Sequence, residues 1–302
     1  MSDLSVVIAG KKLKNPVMPA SGTFESTDVP VVGGDLSALG ALVNKTVTLK
    51  ARSGNPPPRV WETASGMLNS VGIPGVGVTQ FIDRVLPRLR AQNDRLIVSI
   101  AGFSVAEFVE LARLIDRTEQ ADFLELNLSC PNLDCEKIWS TDSSLLERVV
   151  SEVKGTVSLP VIAKLSPNVT DIASMALVAQ EAGADALSLI NTLRGLAIDI
   201  RAGKPALGNA SGGLSGPAIK PLALFAVWSS YQVVSVPIIG MGGISSWQDA
   251  VEFMMAGARA VAVGMYSFVE PDIMWRIIRG LQRYLEEKGL GSASDLVGSA
   301  HR

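Results

Sequence analysis

Two patterns of apolar residues alternate along this chain. Short runs rich in β-branched residues recur, and most are followed by a segment whose apolar residues return every three or four positions. Eight such runs are present: NPVMPAS (15–21), LGALVNKTV (39–47), RLIVSIAG (95–102), DFLELNLSC (122–130), PVIAKLSP (160–167), ALSLINT (186–192), VPIIGMGG (236–243) and AVAVGM (260–265). Between them lie amphipathic segments such as TQFIDRVLPRLRAQN, VAEFVELARLIDRTE, SSLLERVVSEVKG, DIASMALVAQEAG, WQDAVEFMMAG and PDIMWRIIRGLQRYLEEKG. Several end in glycine, which supplies the left-handed residue a helix C-terminus favours. Strand–helix alternation repeated eight times in 302 residues predicts an α/β fold, a closed (β/α)8 barrel. The opening LSVVIAGKKLKNP predicts a small hairpin at the barrel bottom, and the connection after the first strand is only weakly helical. Three connections, 48–78, 131–142 and 193–218, are longer than closure needs; each follows a strand, which places it on the C-terminal face where barrel enzymes build their sites.

Composition narrows the function classes. With 47% hydrophobic residues and no low-complexity interruption, residues 1–302 are expected to share one core as a single domain. A formal net charge of -2 makes nucleic acid a poor partner. The N-terminus has neither a signal peptide nor a membrane anchor pattern, so a cytoplasmic protein is expected. Cys130 and Cys135 are the only cysteines, short of the four thiolates an iron–sulfur cluster requires, so any such cluster belongs to another chain. His301 is the only histidine, which argues against a zinc site or a histidine base; no metal is expected, and a base must be Cys, Lys, Asp or Glu.

Polar residues at the strand ends are the candidates for chemistry: Ser21, Lys45 with Thr46, Asn127 with Cys130, Lys164, Asn191 with Thr192, Gly242 with Gly243, and Gly264. Glycines after strands usually make turns, but exposed glycine amides after both the seventh and eighth strands point together to a phosphate-bearing ligand. Lys45 and Lys164 interrupt apolar strands, and either reaches solvent or meets an anion that offsets its desolvation. A lone cysteine is ordinarily a small buried hydrophobe. Cys130, however, ends a strand at the catalytic face, enters a loop fixed by Pro131 and is surrounded by amides, so its thiolate is a credible base for a carbon acid. Cys135 competes, but Asp134 and Glu136 beside it disfavour a thiolate.

Long motifs in order, NKTVTL, NPPPRVWETASGMLNSVGIPG, ELNLSCPN, KLSPNVTDI, INTLRG, GGLSGPAIKP, PIIGMGGI and AGARAVAVGM, resemble class 1 dihydroorotate dehydrogenases across nearly the whole chain. The resemblance implies oxidation of (S)-dihydroorotate to orotate with FMN at the barrel mouth. The FMN phosphate would rest on amides around Gly242, Gly243, Gly264 and Met265, with Gly216 near. Ser21, Lys45, Thr46, Asn127, Lys164 and Ile190 would line the flavin, as would Ser99, which stands where the family commonly has Asn. Orotate would be held by Lys45, Asn69, Asn127, Asn191 and Thr192, with the backbone of Ser70, Val71, Gly72 and Ile73 around its carboxylate. Cys130 would take the C5 proton while C6 passes hydride to the flavin, and Lys45 and Lys164 would complete the catalytic set, Lys164 by stabilising negative charge on the reduced flavin. GMLNSVGIPG, KLSPNVTDI and GGLSGPAIKP are similar to type B, which implies a homodimer joined to a partner subunit carrying FAD and [2Fe–2S], a heterotetramer that passes electrons to NAD. After LNLSCPN the sequence departs from the family, reading LDCEKIWSTD (133–142) with Asp142 as the main survivor. A flavin enzyme acting on another dihydropyrimidine, a tRNA-directed dihydrouridine synthase, a flavin-free aldolase using Lys164 as a Schiff-base amine, and a non-catalytic scaffold are the alternatives.

Overall fold

The computed structural model describes residues 2–23, 34–129 and 138–301. The chain opens with the expected hairpin, β1 (Val6–Ile8) antiparallel to β2 (Lys11–Leu13). It packs at the N-terminal ends of the barrel strands. There Arg95 Nε donates to the Lys12 carbonyl at 2.9 Å, and the buried Asp122 gathers Lys11, Arg90 and Arg95.

After the first barrel strand, β3 (Val17–Pro19), the described residues hold a 3-10 turn, Leu36–Ala38, which Asp35 caps. The second, β4 (Leu42–Val43), is short because Asn44 replaces the backbone in its ladder. Its Oδ1 accepts from the Ser99 amide at 2.7 Å and its Nδ2 donates to the Lys45 carbonyl at 2.8 Å. Pairing with the next strand resumes at Val47, so Lys45 and Thr46 form a bulge at the strand end.

Strands β5 (Val60–Thr63) and β6 (Gly66–Asn69) lie in the first long connection. The helix after it runs through α1 (Val78–Gln80), a π-helical turn and α2 (Leu86–Arg90). Next come β7 (Leu96–Ile100), α3 (Val105–Asp116), β8 (Phe123–Asn127), α4 (Ser143–Lys154), β9 (Val161–Lys164), α5 (Ile172–Glu181) and β10 (Ala186–Leu189). The third long connection holds β11 (Leu193–Leu196), β12 (Ile198–Asp199), β13 (Lys204–Pro205) and β14 (Ser211–Ser215). The chain ends with α6 (Lys220–Tyr231), β15 (Ile238–Met241), α7 (Trp247–Met255), β16 (Ala258–Val263) and α8 (Ile273–Lys288).

The eight barrel strands follow the order β3-β16-β15-β10-β9-β8-β7-β4, and all neighbours are parallel. Where β4 meets β3, the Gly40 amide donates to the Val17 carbonyl at 2.9 Å. This is the predicted (β/α)8 barrel, nearly closed, with helices packed outside the strands. Side chains at Ser104, Asp142, Asp171 and Ser246 cap α3, α4, α5 and α7, accepting backbone amides that the helix leaves unpaired. Gly289 ends α8 in the expected left-handed conformation, φ 66°, whereas Gly155 after α4 stays right-handed at φ -67°. Helix α6 shows no helical period in the sequence. Leu222 and Phe225 on it are exposed while Ala223, Ala226 and Val227 are buried, so apolar residues lie on both faces. Among the described residues no helix is long and apolar enough to cross a membrane.

Two of the long connections meet. β11, β14, β6 and β5 form one four-stranded antiparallel sheet, with Gly213 opposite Asn69 and Ser215 opposite Met67. In the second connection Trp139 is wholly buried, edge-on to Phe108 at 5.7 Å, with its indole N–H on the Gly102 carbonyl. Asp142 is the N-cap of α4.

Candidate active site

The C-terminal ends of the barrel strands and the four-stranded sheet enclose a cavity of about 600 Å³. Ser21, Lys45, Thr46, Asn127 and Lys164 line it from β3, β4, β8 and β9, and Ile190, Asn191 and Thr192 from the end of β10. Gly216, Gly242, Gly243, Gly264 and Met265 form another part of the wall, and Asn69, Val71, Gly72 and Ile73 reach it from the first long connection.

A chain of hydrogen bonds runs along the cavity. Thr192 N–H donates to Asn191 Oδ1 at 2.7 Å, Asn191 Nδ2 to Asn127 Oδ1 at 3.2 Å, and Asn127 Nδ2 to Thr46 Oγ1 at 3.3 Å. Asn168, behind the wall, donates to the Thr192 carbonyl at 3.2 Å and accepts from the Arg194 amide. Each bond fixes which way the next amide faces. Both asparagines keep hydrogen-bonding capacity for a planar ring bearing carbonyl and N–H groups.

Lys164 is 4% exposed. Its Nζ donates to Ser21 Oγ at 2.9 Å and stands 3.9 Å from Oε1 of Glu125. Glu125 is also buried; Oε2 accepts from Ser188 at 3.1 Å, and Oε1 has no hydrogen-bond partner among the described residues. A protein carboxylate therefore lies beside Lys164, an anion that sequence reasoning missed, although a Glu within FLELN (123–127) is itself the signal of a buried partner.

The glycine wall is built by close approach. Gly242 and Gly243 have φ 119° and 79°, and a Cβ on Gly243 would lie 2.8 Å from the Lys220 amide nitrogen. At Gly264 a Cβ would have nothing nearer than 3.8 Å, so the side of this residue facing Ala20 and Thr23 is open. Among the described residues no backbone carbonyl accepts from the amides of Gly243 or Gly264. Unpaired amides on an open glycine surface fit a phosphate.

Two expected residues sit differently. Ser99 does not line the cavity: it is fully buried one layer down, its Oγ 3.0 Å from Thr46 Oγ1 and its amide on Asn44, which holds the Lys45 carbonyl. Ser70 is tied into the sheet instead, its amide donating to the Arg59 carbonyl at 2.8 Å and its hydroxyl accepting from Asn55 at 2.9 Å. Of the 70–73 stretch, Val71, Gly72 and Ile73 line the cavity and Ser70 does not. Cys130 and Cys135 lie outside the described residues. Met67, Ser215, Tyr266 and Phe268 line the cavity without having been expected. The first two reach it only through the pairing of β6 with β14, which no local pattern announces.

Behind the glycine wall, Asp249 joins Lys220 Nζ at 2.7 Å to the amide and hydroxyl of Ser245 at 2.8 and 2.9 Å. Burial opposes ionisation of Asp249, but the bonds from Lys220 and Ser245 outweigh it and hold the carboxyl below its ordinary 3.8. Burial likewise disfavours the Lys220 ammonium, and its bonds to Asp249 and Glu252 raise it above 10.5. The contribution of Asp249 to stability is thus fully present above pH 3.8 and lost as pH falls through its lower folded value; that of Lys220 is present below 10.5 and lost above. The melting temperature of the protein should accordingly exceed that of Asp249→Asn by a constant margin near neutrality, a margin that shrinks below pH 3.8. A margin unchanged down to about pH 2 would show that the carboxylate charge contributes nothing.

The family model described as dihydroorotate dehydrogenase matches residues 3–285. The chain is 51% identical, over 99% of its length and 97% of the relative's, to "Dihydroorotate dehydrogenase B (NAD(+)), catalytic subunit" of Desulforudis audaxviator. It is 50% identical to the protein of the same name from Carboxydothermus hydrogenoformans, over 99% of this chain and 98% of the other. Matched over almost its full length on both counts, the chain belongs to the dihydroorotate dehydrogenase family.

Proposed function

We propose that this chain binds FMN in the cavity and oxidises (S)-dihydroorotate to orotate, the redox step of pyrimidine synthesis. The observation that carries the reading is the joining, in one cavity, of a glycine wall suited to a phosphate, two lysines and an asparagine–threonine hydrogen-bond chain. Bound FMN supplies acceptance of the hydride from C6 of the substrate. The chain's own residues do the rest. Gly242, Gly243, Gly264 and Met265, with Gly216 beside them, hold the phosphate. Ser21, Thr46, Lys164 and Ile190 flank the ring, and Lys164 favours negative charge there. Lys45, Asn69, Asn127, Asn191 and Thr192 orient the substrate, with Val71 to Ile73 around its carboxylate. Cys130, three residues past Asn127, takes the C5 proton, so the two hydrogens leave to separate acceptors and charge balances.

The name of these relatives, a catalytic subunit of an NAD(+) enzyme, supports a separate electron-transfer subunit. The proposed assembly is a homodimer of this chain joined to a partner with FAD and [2Fe–2S], in the cytoplasm. Two cysteines in the whole chain cannot supply the cluster's ligands.

An anaerobic absorbance spectrum of the purified chain tests the reading. A flavin spectrum that bleaches on adding dihydroorotate is expected. Bleaching by dihydrouracil instead would overturn the substrate, and a colourless protein that takes up no FMN would overturn the cofactor.

A further inference from the structure

The phosphate wall, besides Gly264 and Met265, draws on two segments of chain that share no β-ladder: Gly216 to Ile219 ahead of α6, and Met241 to Ile244 leaving β15. Peptide amides bind an anion well only if their spacing is fixed beforehand, because a flexible loop must be ordered at the moment of binding. Asp249 supplies that fixing. One of its oxygens accepts from Lys220, the residue that follows the first segment; the other accepts both the amide and the hydroxyl of Ser245, the residue that follows the second. Its own amide donates to Ser246 Oγ at 3.2 Å, which anchors the bracket to the first turn of α7. Asp249 is 6% exposed and does not line the cavity, so it touches no ligand. Lys220 is held as well by Glu252 at 2.9 Å, so its ammonium is engaged by carboxylates and the wall presents amides to the anion.

We propose that Asp249 is the positioning residue of the phosphate site, setting the spacing of the 216–219 and 241–244 segments so that the protein selects a phosphorylated flavin over its dephosphorylated form. Asparagine cannot replace it. A neutral amide offers one accepting oxygen, whereas the bracket needs both atoms to accept from three donors, and the amide nitrogen would face a donor from Lys220 or Ser245. The proposal rests on the reading of the cavity as an FMN site.

The test is titration of flavin-free full-length protein with FMN and with riboflavin, followed by quenching of flavin fluorescence. Asp249→Asn should weaken FMN by about tenfold or more and riboflavin by less than about twofold, since riboflavin lacks the group the bracket serves. Glu252→Gln, at a side chain 46% exposed, should leave both affinities within about twofold. If Asp249→Asn does not fold, Ser245→Ala removes one of the same bonds and should shift the FMN-to-riboflavin ratio in the same direction. Equal weakening of both flavins would reduce Asp249 to a structural role, and unchanged or tighter FMN binding would also overturn the proposal. Native protein that binds neither flavin would instead overturn the FMN reading itself, so the two failures are told apart.

Discussion

Cys130→Ser is expected to slow bleaching of the flavin by dihydroorotate about 10²–10⁴-fold, the usual worth of a positioned base, while flavin content and orotate binding stay unchanged. The expectation follows from what else the site offers. The single histidine is stacked on Trp228 at 3.6 Å, with its Nε2 3.0 Å from the Ala256 carbonyl, and is not part of the cavity wall. Among the described residues, the ionisable side chains of that wall are Lys45, Lys164 and Tyr266, with no carboxylate, imidazole or thiol among them. Glu125 is sealed beneath Lys164 with 2% exposure. Stopped-flow reduction under anaerobic conditions reads the effect, with Cys135→Ser as the control expected to change the rate by less than about twofold. The reverse pattern would move the base to Cys135, and two unaffected rates would remove cysteine from the mechanism.

Lys164→Met should carry the largest cost in stability, about 3–5 kcal/mol, because it removes one partner of a buried pair and leaves the other without compensation. Among the described residues Lys164 is the cation beside the Glu125 carboxylate, and its Oε1 is already without a hydrogen bond there. The double variant Lys164→Met with Glu125→Gln should recover most of that stability, since the stranded charge is gone, yet remain slow in flavin reduction, since the lysine is still missing. Urea unfolding of the two single variants and the double completes the cycle. A Lys164→Met cost below about 1 kcal/mol would mean that no charge pair exists there and that Lys164 serves only the ligand.

These residues also show how far the amino-acid order reaches. The strands, most of the helices and the strand-end residues are local facts: a change of apolar period marks an element, and a polar residue ending an apolar run marks a mouth. Lys45, Asn127, Lys164, Asn191 and the paired glycines could therefore be named as candidates from their positions alone. Helix α6 escaped because Leu222 and Phe225 give it apolar residues on its outer face, which erases the period.

What folding alone decided is of another kind. The pairing of β6 with β14 brings Asn69 opposite Gly213 across more than a hundred residues of chain, and register between distant strands is a property of the assembled barrel. Depth is another such property. Thr46 lies past the end of β4 and Ser99 within β7, and the bulge at Lys45 and Thr46 puts Thr46 on the cavity with Ser99 beneath it. The neighbours of a buried charge are likewise set in three dimensions: Glu125 finds Lys164, and Asp249 gathers Lys220 and Ser245, because parallel strands and the loops beyond them lie side by side. Sequence period fixes which elements form and which residues stand at their ends. Contacts between elements fix which of those residues face the ligand and which hold the others in place, since both depend on distances that only the packed chain defines.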